Sequence, residues 1–89
     1  MVLVQFRVSV PDIDRFKATA EKFTPMIEKL GGRNHRAYVS ESDPHEVTTF
    51  AEWDSHDAMM AATDEFGDDF NEEAGTEGLE WETRIWHLL

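Results

Sequence analysis

The stretch Thr49–Phe70, TFAEWDSHDAMMAATDEFGDDF, decides the fold of this chain. Its first residues predict an apolar strand that ends on Trp53. Asp54 or Ser55 follows as an N-cap, because a short polar side chain at that position accepts a hydrogen bond from a free backbone amide. A helix begins almost at once. The stretch therefore predicts a strand-to-helix junction with a large aromatic side chain at its corner.

Upstream of this junction the pattern is that of a hairpin. Arg33–Ser40 and Glu46–Trp53 both have strand character, and Glu41–His45 between them is rich in residues that favour turns. The two segments are therefore predicted to pair as antiparallel strands.

Downstream of the junction, Ser55–Asp64 is predicted as a firm helix and Phe66–Ala74 as a looser second segment, because Gly67 weakens a helix. A glycine-containing loop comes next. Leu79–Leu89 then alternates apolar and polar residues over its whole length, which predicts a long final strand.

The N-terminal part predicts one strand and one helix. Val2–Ser9 alternates with the period of a strand, and Asp12 is placed as the N-cap of a helix whose apolar residues recur at spacings of three and four. Pro25 removes one backbone hydrogen bond, so a kink or short break is expected near Thr24. Gly31-Gly32 suits the left-handed end of the helix.

The predicted order of strand, helix, strand, strand, helix and strand is that of the ferredoxin-like α+β unit, an antiparallel sheet with both helices on one face. Several strands carry aromatic side chains toward both faces, for example Phe50 opposite Trp53 and Trp86 opposite Trp81. The uncovered face is therefore expected to pack on something. In so short a chain the predicted partner is a second copy, which gives a homodimer through the open sheet face.

Composition limits what the protein does. Its 89 residues predict a single domain, 1–89, and a net charge of -11 disfavours binding to nucleic acid or to an anionic membrane surface. There is no cysteine, which excludes disulfides and thiolate nucleophiles. The sequence shows neither a signal peptide nor a membrane span, so the prediction is a cytoplasmic protein.

Three groups of residues resemble a known family. They are Val4–Val8 before a Pro-Asp helix start, Gly31-Gly32 before the second strand, and Asp43-Pro44, Glu52–Asp54 and Ala58-Met59 around the hairpin and second helix. On these residues the chain is similar to the small dimeric α/β-barrel proteins grouped with the antibiotic-biosynthesis monooxygenases. The resemblance implies a dimeric barrel with a small-molecule pocket between the sheet and helices of each subunit.

The resemblance also implies an activity. It points to cofactor-free oxygen chemistry on a small aromatic or polyketide-like molecule that the protein holds as its anion. Trp53 matches a tryptophan that family members place in or near the pocket. Many members carry a histidine nine residues further on, where this chain has Ala62. That departure counts against haem degradation and weakens the enzymatic interpretation.

Single residues suggest a site only weakly. His35, Tyr38 and His87 are the candidate catalytic residues for proton transfer. The candidate substrate-binding residues are Trp53, Phe6, Met59, Phe66 and Trp81. Each aromatic side chain has an alternative interpretation as a packing residue, and a strand histidine is more often half exposed than catalytic.

No metal site or other cofactor is predicted. The histidines have poor spacing for a metal, and the second and fourth strands of such a sheet lie at opposite edges, which separates His35 from His87. Two other functions stay open beside the oxygenase. One is a non-catalytic ligand-binding or structural homodimer, and the other is a cyclase or isomerase on the same scaffold.

Overall fold

The computed structural model describes residues 1–89 and contains two helices and four strands. In chain order they are β1 (Val2–Ser9), α1 (Ile13–Lys29), β2 (Arg33–Val39), β3 (Glu46–Trp53), α2 (His56–Ala74) and β4 (Glu82–His87). This order confirms the predicted ferredoxin-like α+β fold. No helix has the length and apolar character needed to cross a membrane.

The sheet is antiparallel with the strand order β2-β3-β1-β4. β1 lies in the middle, where Val4 pairs with Ala51 of β3 and with Ile85 of β4. Val4 is almost fully buried. This face of the sheet carries the helices, and the core lies between the two layers. β2 and β4 form the two edges, so residues on them are far apart in the sheet.

α1 is one continuous helix, and the short break expected near Thr24 is absent. Asp12 caps it by accepting a hydrogen bond from the Arg15 amide at 3.1 Å. Pro25 lies inside the helix on an exposed position. The buried side chains of Phe23 and Ile27 pack on either side of it. Their burial holds both segments on the sheet, and this outweighs the missing backbone hydrogen bond.

α2 is also one continuous helix, which corrects the prediction of a looser segment beyond Gly67. Ser55 caps its start through a 3.1 Å hydrogen bond from the Ala58 amide. Its last turn is stabilised by burial of Phe70 and Ala74. Tertiary packing of the apolar face therefore overrides the low helix propensity of one glycine.

The last strand is shorter than predicted. β4 covers Glu82–His87, whereas the alternating pattern runs over Leu79–Leu89. At the end of β4 the pairing supplies the reason, because Val2, the first residue of β1, lies opposite His87, and Leu88 and Leu89 have no neighbouring strand with which to form hydrogen bonds. At its start the pairing begins with Glu82 opposite Arg7, and residues 79–81 lie outside it.

Candidate ligand cavity

A cavity of about 270 Å³ lies between the sheet and α2. Most of its wall is apolar or aromatic, and the larger side chains in it are Phe6, Ile27, Trp53, Phe66, Phe70 and Trp81. An apolar hollow with a few polar groups is the usual form of a small-molecule site. This cavity is therefore the candidate site of the protein.

Trp53 reaches the cavity from the end of β3 and is only 2% exposed. The Gly31-Gly32 pair makes room for it. A Cβ atom on Gly32 would lie 2.8 Å from Cζ2 of Trp53 and 2.7 Å from Cγ2 of Ile27, which is too close for either side chain. Gly31 has a φ of 112°, a left-handed conformation suited to the end of a helix. The two glycines thus end α1 and admit the indole ring.

Aromatic rings form one end of the cavity. The rings of Phe6 and Trp81 meet edge to face with centroids 6.2 Å apart, and Phe70 lies 6.5 Å from Trp81. Phe66 lines the cavity beside Phe70. Met59 is buried in the core and is not part of the cavity wall. Four of the five candidate substrate-binding residues therefore lie on one cavity.

His35 is the only candidate catalytic residue that lines this cavity. A register shift in the β2–β3 pairing accompanies a φ of 52° at Asn34, and His35 then lies against α1. Its Nδ1 atom is 2.8 Å from Oγ1 of Thr24. Burial is the main cause that lowers the pKa of His35 below 6.5, and Arg36 adds to this while Glu28 opposes it. The imidazole is therefore neutral at pH 7.

Tyr38 and His87 lie elsewhere. Tyr38 is 53% exposed on the open sheet face, where its ring packs edge to face on Phe50 with centroids 6.0 Å apart. His87 is exposed at the end of β4, on the opposite edge of the sheet from β2. Neither of them lines the cavity with His35.

Several cavity residues, most of them polar, were missed by the sequence reasoning. Thr63, Gly67 and Asn71 form a stripe along α2 at spacings of four, next to the apolar stripe that contains Phe66 and Phe70. That spacing was the available signal, because residues four apart lie on one helix face. Thr49 of β3 is a further polar residue of the wall.

Asn71 has a fixed orientation. Thr76, which is fully buried, donates its hydroxyl hydrogen to Oδ1 of Asn71 at 2.8 Å. The Nδ2 group makes no hydrogen bond within the chain, and Asn71 is one of the residues that line the cavity. The cavity thus offers one amide donor in addition to the imidazole of His35.

His35 is the only side chain of the cavity wall that changes its charge near neutral pH. Ala62, at the position where the resembled family often has a histidine, is buried in the core. No group of three histidine, aspartate or glutamate side chains in the structure is arranged to hold a metal ion. The polar side chains of the wall are thus those of His35, Asn71, Thr49 and Thr63, and His35 is the only one of them that can exchange a proton near neutral pH.

Comparison with solved structures confirms the resemblance at the level of the fold. A protein from Bordetella bronchiseptica classed with the antibiotic biosynthesis monooxygenases superposes with a TM-score of 0.83, at 15% identity and over 99% of this chain and 96% of that one. A second such protein, from Nitrosomonas europaea, superposes with a TM-score of 0.83 at 12% identity, over 99% of this chain and 89% of that one. SnoaB, a cofactor-independent oxygenase from Streptomyces nogalater, superposes with a TM-score of 0.74 at 16% identity, over 99% of this chain and 91% of that one.

These matches define the class: the chain has the fold of the antibiotic-biosynthesis monooxygenase proteins over almost its whole length. No protein-family model matches the sequence, and no curated protein is similar to it in sequence. At identities this low the shared fold carries no activity with it. Function has to be argued from the cavity.

Proposed function

We propose that this protein binds a small aromatic molecule in the cavity and oxidises it with molecular oxygen without a cofactor. The observation that carries the proposal is the single ionisable side chain, His35, in a wall that is mostly apolar and aromatic. A cavity of about 150 Å³ accommodates benzene. The volume of about 270 Å³ in this protein therefore suits a molecule of two or three fused rings.

His35 would begin the reaction as a base. Its neutral imidazole takes a proton from an acidic hydroxyl or enol of the ligand, and the resulting anion is electron-rich enough to react with oxygen. Asn71 would stabilise the anion through a hydrogen bond from Nδ2 to the charged oxygen atom. The apolar wall excludes water and strengthens both interactions.

Anthrone serves as a test substrate, because its enol form loses a proton readily. One anthrone and one O₂ give one anthraquinone and one water, so oxygen uptake and anthraquinone formation should agree one to one. The comparison is the wild-type protein with His35→Gln, and the exposed histidine variant His56→Gln is the control. The proposal is supported if His35→Gln loses the protein-dependent rate and His56→Gln keeps it.

Variants of Trp53 test whether the reaction depends on the shape of the cavity. Complete truncation of a buried tryptophan costs about 3–5 kcal/mol, so Trp53→Phe is a safer first variant than Trp53→Ala. Its far-UV circular dichroism should match the wild type, while its rate with anthrone falls. An unchanged rate in a folded Trp53→Ala protein would contradict a role of this cavity in the reaction.

A second candidate function is ligand binding without turnover. The absence of any ionisable side chain other than His35 from the wall, and the buried Ala62, favour it. It predicts that anthrone raises the melting temperature without protein-dependent oxygen uptake. A cyclase or isomerase on this scaffold would instead convert its substrate without consuming oxygen. If the protein shows no turnover and no thermal shift with any ligand of an aromatic panel, all three ligand-based functions are contradicted.

We also propose that the open sheet face pairs with a second copy of the chain. Tyr38 and Trp86 are about half exposed there, at 53% and 49%. Some of the charges on this face already pair with each other, since Arg7 forms salt bridges with both Glu46 and Glu82. Burial of these three side chains in a dimer would therefore leave none of them as an unpaired charge. Light scattering tests this proposal, and a monodisperse monomer at micromolar concentration would contradict it.

A further inference from the structure

The hydroxyl group of Thr24 touches two polar partners at once. Its Oγ1 atom lies 2.8 Å from the carbonyl oxygen of Ala20, one turn earlier in α1. It also lies 2.8 Å from Nδ1 of His35 in β2. Both distances are those of good hydrogen bonds, and a hydroxyl group has only one hydrogen to donate.

The hydrogen positions in this group follow from the acceptors. The carbonyl oxygen of Ala20 carries no hydrogen, so the hydroxyl hydrogen of Thr24 must lie between the two oxygens. Oγ1 then faces Nδ1 with a lone pair. The hydrogen in that second bond has to come from the imidazole of His35, which places a proton on Nδ1.

We infer that Thr24 is a positioning residue, which holds His35 in the tautomer protonated at Nδ1 and so keeps Nε2 free as the base toward the cavity. The inference rests on the function proposed above for this cavity. Thr24 does not line the cavity itself; it lies in a second groove, between α1 and β2, that His35 and Tyr38 also line.

The surroundings of Nε2 agree with this role. Nε2 makes no hydrogen bond with the protein. No side-chain nitrogen or oxygen atom in the structure is both buried and without a hydrogen-bond partner. Nδ1 keeps its proton in both charge states, so a proton taken from a ligand binds at Nε2. The charged groups that act on the ring are Glu28 of α1 and Arg36 of β2, and α2 presents no charge to the cavity.

The tautomer is measurable without any ligand. Long-range ¹H–¹⁵N correlation spectra of the labelled full chain distinguish a ring protonated at Nδ1 from one protonated at Nε2. The chain has four histidines, and His35→Gln identifies the signals of His35 by their loss. Above the pKa of the ring, the wild type is expected to show the Nδ1-protonated form alone.

Two variants of Thr24 separate the hydroxyl from the shape of the side chain. Thr24→Val keeps the branched shape and removes the acceptor, so His35 is expected to become a mixture of both tautomers. Thr24→Ser keeps the hydroxyl and should restore the single form. In anthrone oxidation, the Thr24→Val rate should fall in proportion to the Nδ1-protonated fraction, because only this form has a free Nε2.

Each outcome decides the inference. A wild-type ring protonated at Nε2 overturns it, and so does an unchanged tautomer in Thr24→Val. An altered tautomer with an unchanged oxidation rate overturns the positioning role. Should Thr24→Val fail to fold, the wild-type and Thr24→Ser spectra still decide the tautomer. A wild type that does not oxidise anthrone refutes the proposed function separately, since the spectra do not depend on turnover.

Discussion

Gly67 lies in the middle of α2, where alanine would make a more stable helix. There is room for the larger residue, because a Cβ atom at this position would meet only Cγ2 of Thr63, at an ordinary contact distance of 3.5 Å. Packing of the protein itself therefore gives no reason for a glycine. Gly67 does line the cavity, so the missing side chain leaves space for an occupant. The change Gly67→Ala separates these two effects.

The expected gain in the free energy of unfolding is about 1 kcal/mol, the difference between glycine and alanine in a helix interior. For a domain of this size, that corresponds to a rise in Tm of about 4–8 °C. The added methyl group narrows the cavity. An extra methyl group in a filled site typically costs about 1–3 kcal/mol, so anthrone should bind about fivefold or more weakly.

Urea unfolding and the anthrone-induced thermal shift measure the two effects. Ala61→Gly is the matched control, because Ala61 lies exposed on the same helix and does not line the cavity. It should lose about 1 kcal/mol of stability and bind anthrone unchanged. A Gly67→Ala protein that is less stable than wild type would refute the steric argument. Unchanged anthrone binding in that variant would refute the idea that the glycine makes space for a ligand.

Three further predictions concern stability. Arg15→Ala should lower the free energy of unfolding by about 1 kcal/mol in urea, because this exposed guanidinium donates to the carbonyl oxygens of Glu72 and Glu73 at the end of α2. Lys22→Ala loses only a surface ion pair and should change the stability by less than about 0.5 kcal/mol. The lowered pKa of His35 means that the unfolded chain binds its proton more readily, so stability is retained above pH 6.5 and falls as the pH drops through the folded pKa. The His35→Gln protein should lose less stability on acidification than the wild type, and an equal loss in both would contradict the cause assigned here. The net charge of -11 predicts a Tm that rises from low to molar salt, and a flat Tm would contradict this.

The sequence predicted the fold because its signals act locally and agree with one another. The caps Asp12 and Ser55 lie where their hydrogen bonds begin helices, and Gly31 takes the left-handed conformation that ends one. The predicted helix interruptions were wrong because tertiary packing overrides the local preference of single residues. Pro25 and Gly67 weaken a helix in isolation, but the buried apolar face of each helix continues past them.

The candidate cavity was only partly predictable. Trp53 was found because it ends a strand and matches a tryptophan of the resembled family, and Phe6, Phe66 and Trp81 were named as candidates beside it. Asn71 was missed although its spacing from Thr63 and Gly67 places it on the same helix face, and its hydrogen bond with the loop residue Thr76 could not be seen in the sequence.

The two halves of the chain contribute different functions to the cavity. The second half shapes it, through the indole of Trp53 and the gap at Gly67, and none of its cavity residues titrates near neutral pH. The only cavity side chain that can act as a base near neutral pH comes from the first half, where β2 presents His35 and Oγ1 of Thr24 in α1 lies 2.8 Å from its Nδ1 atom. With alanine at position 62, proton transfer has no alternative group on α2. If the cavity is catalytic, its chemistry therefore depends on the contact between α1 and β2, and variants of that contact should affect turnover more than ligand affinity.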